Sequence, residues 1–223
     1  MWYLLVTPAD DTDRSHPCQE AMSKAVAPPS AEAVHLPPRE RILAAACDLF
    51  YRHGIRAVGV DAIAEAAGTN KMTLYRHFAS KDVLVAEYLR RLAKEGEATW
   101  DEIAKAYAGD PDGQLEAWLR HIEDLVTHCG DRGCAVANAA VELADKNHPA
   151  RRVIEEHKTR QRERLVALCR EAGFGEPERL ADEVFLLLEG ARVSLQSVGR
   201  SGPASRLTGM LRSLFSEHPR HSR

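Results

Sequence analysis

Apolar residues return along this chain at intervals of three and four, the spacing that gathers them on one face of an α-helix. Ile42, Leu43, Ala46, Leu49 and Phe50 form such a stripe over about 39–53, with Pro38 ahead of it and Gly54 as its stop. Val60, Ile63, Ala64 and Ala67 mark a short helix that Gly59 can cap and that Gly68, in the left-handed conformation, ends. Thr69 or Asn70 then caps a second short helix, each having a side-chain oxygen for the free N–H groups. On this second helix Met72, Tyr75 and Phe78 are expected to turn inward or sideways, leaving Lys71, Thr73, Arg76 and His77 outward. Ser80 is placed to cap a long helix running from about 81 toward 107, with Leu84, Tyr88, Leu92, Ile103 and Tyr107 among its apolar positions. Gly109, Asp110 and Pro111 break it. Further helices are expected over about 111–128, 134–145, 149–172, 178–198 and 204–216, with a Gly-Asp-Arg-Gly turn after the first and Gly173 and Gly175 closing the third. No strand-length alternation, internal repeat or glycine-rich phosphate loop interrupts the pattern. The expected fold is therefore all-α, about nine helices: a three-helix N-terminal helix-turn-helix domain, then a larger helical C-terminal domain.

The domain boundaries follow from the same reading. Residues 1–37 hold Pro8, Pro17, Pro28, Pro29 and Pro37 among Asp, Ser and Ala, and are expected to be a disordered tail, with Met22 an alternative start. Residues 38–85 form the helix-turn-helix domain, 86–217 the second domain and 218–223 a frayed tail. Along 184–195, Val184, Phe185, Leu187, Leu188, Ala191, Val193 and Leu195 cover more than one helix face. Such a helix must be covered on two sides, by a partner subunit or by the chain's own core.

Two short helices around a tight turn are the layout in which the second helix enters a DNA major groove. Thr69, Asn70, Lys71, Thr73, Tyr75, Arg76, His77 and Lys81 are the candidate DNA-binding residues. Lys71, Arg76 and Lys81 supply charge for phosphates, which would make binding salt-dependent. Thr69, Asn70, Tyr75 and His77 can hydrogen-bond phosphates, and Lys71 and Thr73, near the helix start, are the candidates for base edges.

Net charge sharpens this picture. The chain of 223 residues carries −3 overall, yet residues 39–91 hold nine Lys/Arg against six Asp/Glu, while 1–38 hold two against five. A basic segment beside an acidic body fits a DNA-contacting module on a scaffold that DNA does not touch. Composition is otherwise that of a water-soluble chain, 44% hydrophobic and 28% charged. No apolar run approaches the ~20 residues of a membrane span. The opening Met-Trp-Tyr-Leu-Leu-Val lacks the basic flank of a secretory signal, so a cytoplasmic location is expected. Cys18, Cys47, Cys129, Cys134 and Cys169 are then expected to be reduced, with Cys47 and Cys169 on apolar faces.

The stretch from Arg39 to Leu89 resembles the N-terminal DNA-binding domain of TetR-family transcriptional regulators, most specifically in Ile-Ala-Glu-Ala-Ala-Gly, Thr-Leu-Tyr-Arg-His-Phe and Ser-Lys-Asp-Val-Leu. Gly59, where the family often has Ser or Thr, and Asn70, where Ser is common, are departures. The resemblance implies a bacterial homodimer joined through the last two helices, about 178–216, as a four-helix bundle across a two-fold axis. It also implies a palindromic double-stranded DNA operator and an inducer site for an unidentified small molecule. A homodimeric repressor released by ligand is the leading reading. A transcriptional activator on the same fold, and a helical small-molecule-binding protein or enzyme with a vestigial helix-turn-helix, are the alternatives.

Trp100, Tyr107, Trp118, His121, Cys134, Asn138, Glu142 and His157 mix aromatics with a few polar groups, as small-molecule pockets between helices do. Asn138 and Glu142, four apart on a small apolar helix, are the best pair for polar ligand contacts. His121 and His128, with Cys129 adjacent, are too loosely spaced for a zinc signature, so no metal or other cofactor is expected. No nucleophile elbow or paired-histidine protease motif is present, and catalysis is not indicated.

Overall fold

Each of the expected helices is found in the computed structural model, which describes residues 36–128 and 132–221. We number them α1 (Pro38–His53), α2 (Val60–Ala66), α3 (Lys71–His77), α4 (Lys81–Ala106), α5 (Pro111–His128), α6 (Ala135–Glu142), α7 (Pro149–Glu171), α8 (Pro177–Val198) and α9 (Leu207–Glu217). The last expected helix is a 3-10 turn, Pro203–Arg206, followed by α9. Among the described residues no helix is long and apolar enough to cross a membrane. The expected disorder of 1–35 lies outside the described residues, as does Cys129.

The chain divides into two compact units. The described part of the first is 36–94 with 134–156, so it takes in α1 to α3, the start of α4, α6 and the start of α7. Pro38 opens α1 where no N–H is needed, and Gly54 closes it at φ 85°. The core is built from Ile42, Ala46 and Phe50 of α1, Ile63 of α2, Leu74 of α3 and Leu84, Val85 and Leu89 of α4. Val136 and Ala139 of α6, Leu143, and Ala150, Val153 and Ile154 of α7 belong to the same cluster. A division at 85/86 places this later segment in the second domain, but its apolar side chains join the helix-turn-helix core. Glu142 shows how closely it is fitted there. Its carboxylate accepts the Arg56 N–H at 3.1 Å and lies 3.1 Å from where a Cβ on Gly54 would stand.

The second unit comprises the described residues of 95–133 and 157–223. Ile103, Trp118, Leu119, Leu165, Cys169, Leu180, Val184, Leu211 and Phe215 are at its centre. Trp100 stacks on Trp118 with ring centroids 5.8 Å apart. Arg212 of α9 donates two hydrogen bonds to Glu116 of α5, at 2.6 and 2.7 Å. The expectation of a frayed tail at 218–223 is corrected for residues 218–221. The Gly175 N–H donates to the Pro219 carbonyl at 2.9 Å, and the His221 N–H to the Gly173 carbonyl at 2.8 Å. The Arg220 guanidinium lies 4.4 Å from the Phe174 ring centroid. These are bonds to a turn some 45 residues earlier in the chain, a partnership that local composition does not reveal.

Candidate nucleic-acid interface

The turn between α2 and α3 is determined by backbone chemistry. Gly68 adopts φ 60°, which its missing Cβ allows. The Thr69 N–H then reaches the Ala64 carbonyl and the Gly68 N–H the Glu65 carbonyl, both at 2.9 Å, the paired bonds of a Schellman ending. The Arg41 Nε donates to the next open carbonyl, that of Ala67, at 3.0 Å, tying the turn to α1. On the other side Asn70 Oδ1 accepts the Thr73 N–H at 2.9 Å and so caps α3. Leu74 and Phe78 are buried and hold α3 against the core. The chain leaves α3 through extended Phe78, and Ser80 Oγ caps α4 by accepting the Val83 N–H at 3.2 Å. Of the two cap candidates Thr69 and Asn70, it is Asn70 that caps α3, and the expected cap at Ser80 and glycine stop at Gly68 are present.

With Leu74 and Phe78 inside, the remaining α3 positions are distributed by rotation of about 100° per residue. Lys71, Tyr75 and Arg76 are exposed, Thr73 is half-buried, and Asn70 stands exposed at the cap with Thr69 half-buried behind it. Lys71 Nζ pairs with Asp61 of α2 at 3.1 Å on the open surface. Two expectations are corrected. Met72, expected inward or sideways, is 80% exposed, because Leu74 takes the inward position. His77, expected outward, is half-buried, and its Nε2 is buried with no hydrogen-bond partner among the described residues. Lys81 is partly withdrawn as well. Its ammonium lies 6.0 Å from the Phe50 ring centroid, and burial holds its pKa below the usual lysine value, against the pull of Asp82 and Glu142.

The candidate small-molecule residues divide between the two units. Trp100, Tyr107, Trp118, His121 and His157 belong to one; Cys134, Asn138 and Glu142 belong to the other. Trp118 is buried core, and the Tyr107 hydroxyl accepts a bond from Arg120 at 3.0 Å. His157 is buried, 6% exposed, and its Nδ1 has no hydrogen-bond partner among the described residues. Burial, reinforced by Lys158, Arg192 and Arg160 against Glu189, pushes its pKa down to about 4. Burial likewise lowers the pKa of His121. Cys134 precedes α6 at its cap, and Glu142 is committed to the Arg56 amide. Asn138 and Glu142 are both half-buried. Cys47, Cys134 and Cys169 are thiols, and burial pushes that of Cys169 up to about 12.

A basic, seven-residue helix presented outward from a capped turn has the layout of a helix-turn-helix, the arrangement in which the second helix enters a DNA major groove. The comparisons with known proteins agree. Residues 42–88 match the family model described as "Bacterial regulatory proteins, tetR family". The HTH-type transcriptional repressor KstR2 of Mycobacterium tuberculosis is 29% identical over 150 residues, 66% of this chain and 74% of that one. The HTH-type transcriptional activator FasR of Mycolicibacterium smegmatis is 43% identical over 53 residues, 24% of each chain. Among solved structures, a TetR-family transcriptional regulator from Streptomyces coelicolor superposes with a TM-score of 0.75 at 28% identity, over 81% of this chain and 95% of that one. Residues 42–88 thus carry the DNA-binding domain of the TetR family of transcriptional regulators, and the helical fold around it is like that of a TetR-family regulator of known structure.

Proposed function

We propose that the protein is a homodimeric repressor that leaves a palindromic operator when a small molecule binds its C-terminal domain. The observation that carries the DNA-binding part is the division of α3: Leu74 and Phe78 are buried, while Lys71, Tyr75 and Arg76 face solvent. Lys71 and Arg76 neutralise phosphates or reach base acceptors, and the Asn70 and Thr69 side chains flank them. Repression is supported by the KstR2 match, which extends well beyond the helix-turn-helix.

Two subunits are supported by the last two helices. Leu186 and Val193 are 70% and 64% exposed and stand seven residues apart, on one face of α8. Val198 and Met210 are exposed apolar residues as well. Nothing lies within 4 Å of where a Cβ on Gly190 or Gly209 would stand, so another helix can approach closely there. A two-fold dimer would set its recognition helices about 34–36 Å apart, or a multiple of it, to match successive major grooves. Ligand that favours a different tilt of α4 would move α3, to which α4 is joined by Ala79 and Ser80. It acts only through its difference in affinity for the two states.

Fluorescence anisotropy on the DNA upstream of the protein's own gene, against a scrambled duplex and across a salt series, tests the reading. Selective binding by two subunits per site is expected. Weak, equal binding to both duplexes, repeated with sites drawn from a genome-wide selection, would sink it. The FasR match favours activation as the second reading, but it covers only the DNA-binding segment. Transcription in vitro from the bound promoter separates the two.

A further inference from the structure

We propose that Met72 reads the methyl group of a thymine in each operator half-site. The inference rests on the DNA-binding reading above and adds what the recognition helix distinguishes. Leu74 and Phe78 fix the inner face of α3. At about 100° per residue, the direction opposite that pair falls on Arg76, with Met72, one turn before it, about 40° to one side. These two side chains, rather than Lys71 or Thr73, point farthest from the protein. Lys71 is drawn sideways by Asp61, and Thr73 is half-buried.

Met72 is 80% exposed, the most exposed large apolar side chain of the helix-turn-helix. It contributes nothing to the core, which Leu74 fills in its place. A groove-facing apolar side chain has one distinctive partner on a base edge. Of the four bases only thymine presents a carbon group in the major groove, its C5 methyl. The unbranched thioether of methionine adapts to such a surface without demanding a single rotamer. Arg76 beside it offers the complementary chemistry, donors for the acceptor atoms of an adjacent guanine or for a phosphate.

The test uses the full chain and operators selected from a random duplex pool. Each thymine of one half-site is replaced singly by deoxyuridine, which removes the methyl and nothing else. One position is expected to cost the wild type about fourfold in affinity, the worth of one buried carbon group. The same replacement is expected to cost Met72→Ala less than about twofold, at an unchanged melting temperature because the side chain is exposed. The assignment is overturned if the half-sites contain no thymine, if no deoxyuridine costs the wild type more than about twofold, or if Met72→Ala keeps the full penalty. A selection that enriches no sequence would remove the DNA-binding reading together with it. A selective operator indifferent to the methyl removes the Met72 assignment alone.

Discussion

Lys71 and Arg76 carry the two exposed positive charges of α3, and their roles separate by salt dependence. If Lys71 meets a phosphate, Lys71→Ala should weaken operator binding and reduce the slope of log K against log salt by about one. Arg76, which points straight out, should lose about 5- to 150-fold on substitution by Ala, with discrimination relaxed at one base position if it meets a base edge. Unchanged salt slopes in both variants would remove phosphate contacts from both residues. His157 makes a prediction of a different kind. In the unfolded chain a histidine takes its proton near pH 6.5. In the folded protein burial holds the value at about 4. Between these values the unfolded state binds a proton that the native state refuses, so stability should fall as pH drops from about 6.5 to about 4, by up to about 1.4 kcal/mol per pH unit. His121 shifts in the same direction, so some slope should remain in His157→Gln while the rest flattens. Urea midpoints across this range check it, and equal slopes in the two proteins would contradict it. At this scale the sequence was legible where chemistry is local. Asn70 accepts from Thr73 three residues away, and the pattern of cap and helix suffices to find it. Met72 was not legible, because Met72 and Leu74 are both apolar and two residues apart. Only the placement of α1 and α2 against α3 decides which of them is inside.

Helices in this chain begin and end where backbone chemistry requires. Pro38 and Pro177 start helices, Gly54 and Gly199 end them at positive φ, and Asn70 and Ser80 satisfy open N–H groups. Because α3 has only seven residues, it has little helical stability of its own and depends on its cap and on two buried side chains. Asn70→Ala should cost about 1 kcal/mol and lower the melting temperature by a few degrees. If α3 is the helix that meets DNA, the variant should weaken DNA binding as well, since that helix is the one loosened. A variant with unchanged melting temperature would show that the cap is replaced by water. What periodicity could not show is which elements share a core. The segment over 134–156 reads as part of a following domain, yet Val136, Ala139 and Ile154 join Ile42 and Leu84. The closing residues read as a tail, yet Pro219 and His221 pair with Gly173 and Gly175. Both are contacts between distant segments, and residue spacing along one helix holds no information about them.

For the molecule as a whole, the exposed apolar face of α8 is the feature that a single chain leaves unexplained. If this face carries the proposed dimer contact, the wild type should sediment as a dimer and Leu186→Glu with Val193→Glu as a monomer at the same concentration. The thermal melt of the protomer should survive, since both side chains face solvent within it. Operator affinity should fall by 100-fold or more, on the order lost when two linked contacts become two separate ones. A double variant that remains dimeric would place the dimer contact elsewhere. The all-α class and the helix-turn-helix were legible from spacing alone. Which face of α8 the chain's own core takes was not legible, because an apolar circumference does not say so: Val184, Leu188, Ala191 and Leu195 turn inward and Leu186 and Val193 outward. The division of labour within α3 has a further consequence. Leu74 and Phe78 keep the helix in place, whereas Lys71, Met72 and Arg76 add almost nothing to folding. A duplicated gene could therefore drift at these three codons, acquire a new genomic address, and keep a working fold at every step.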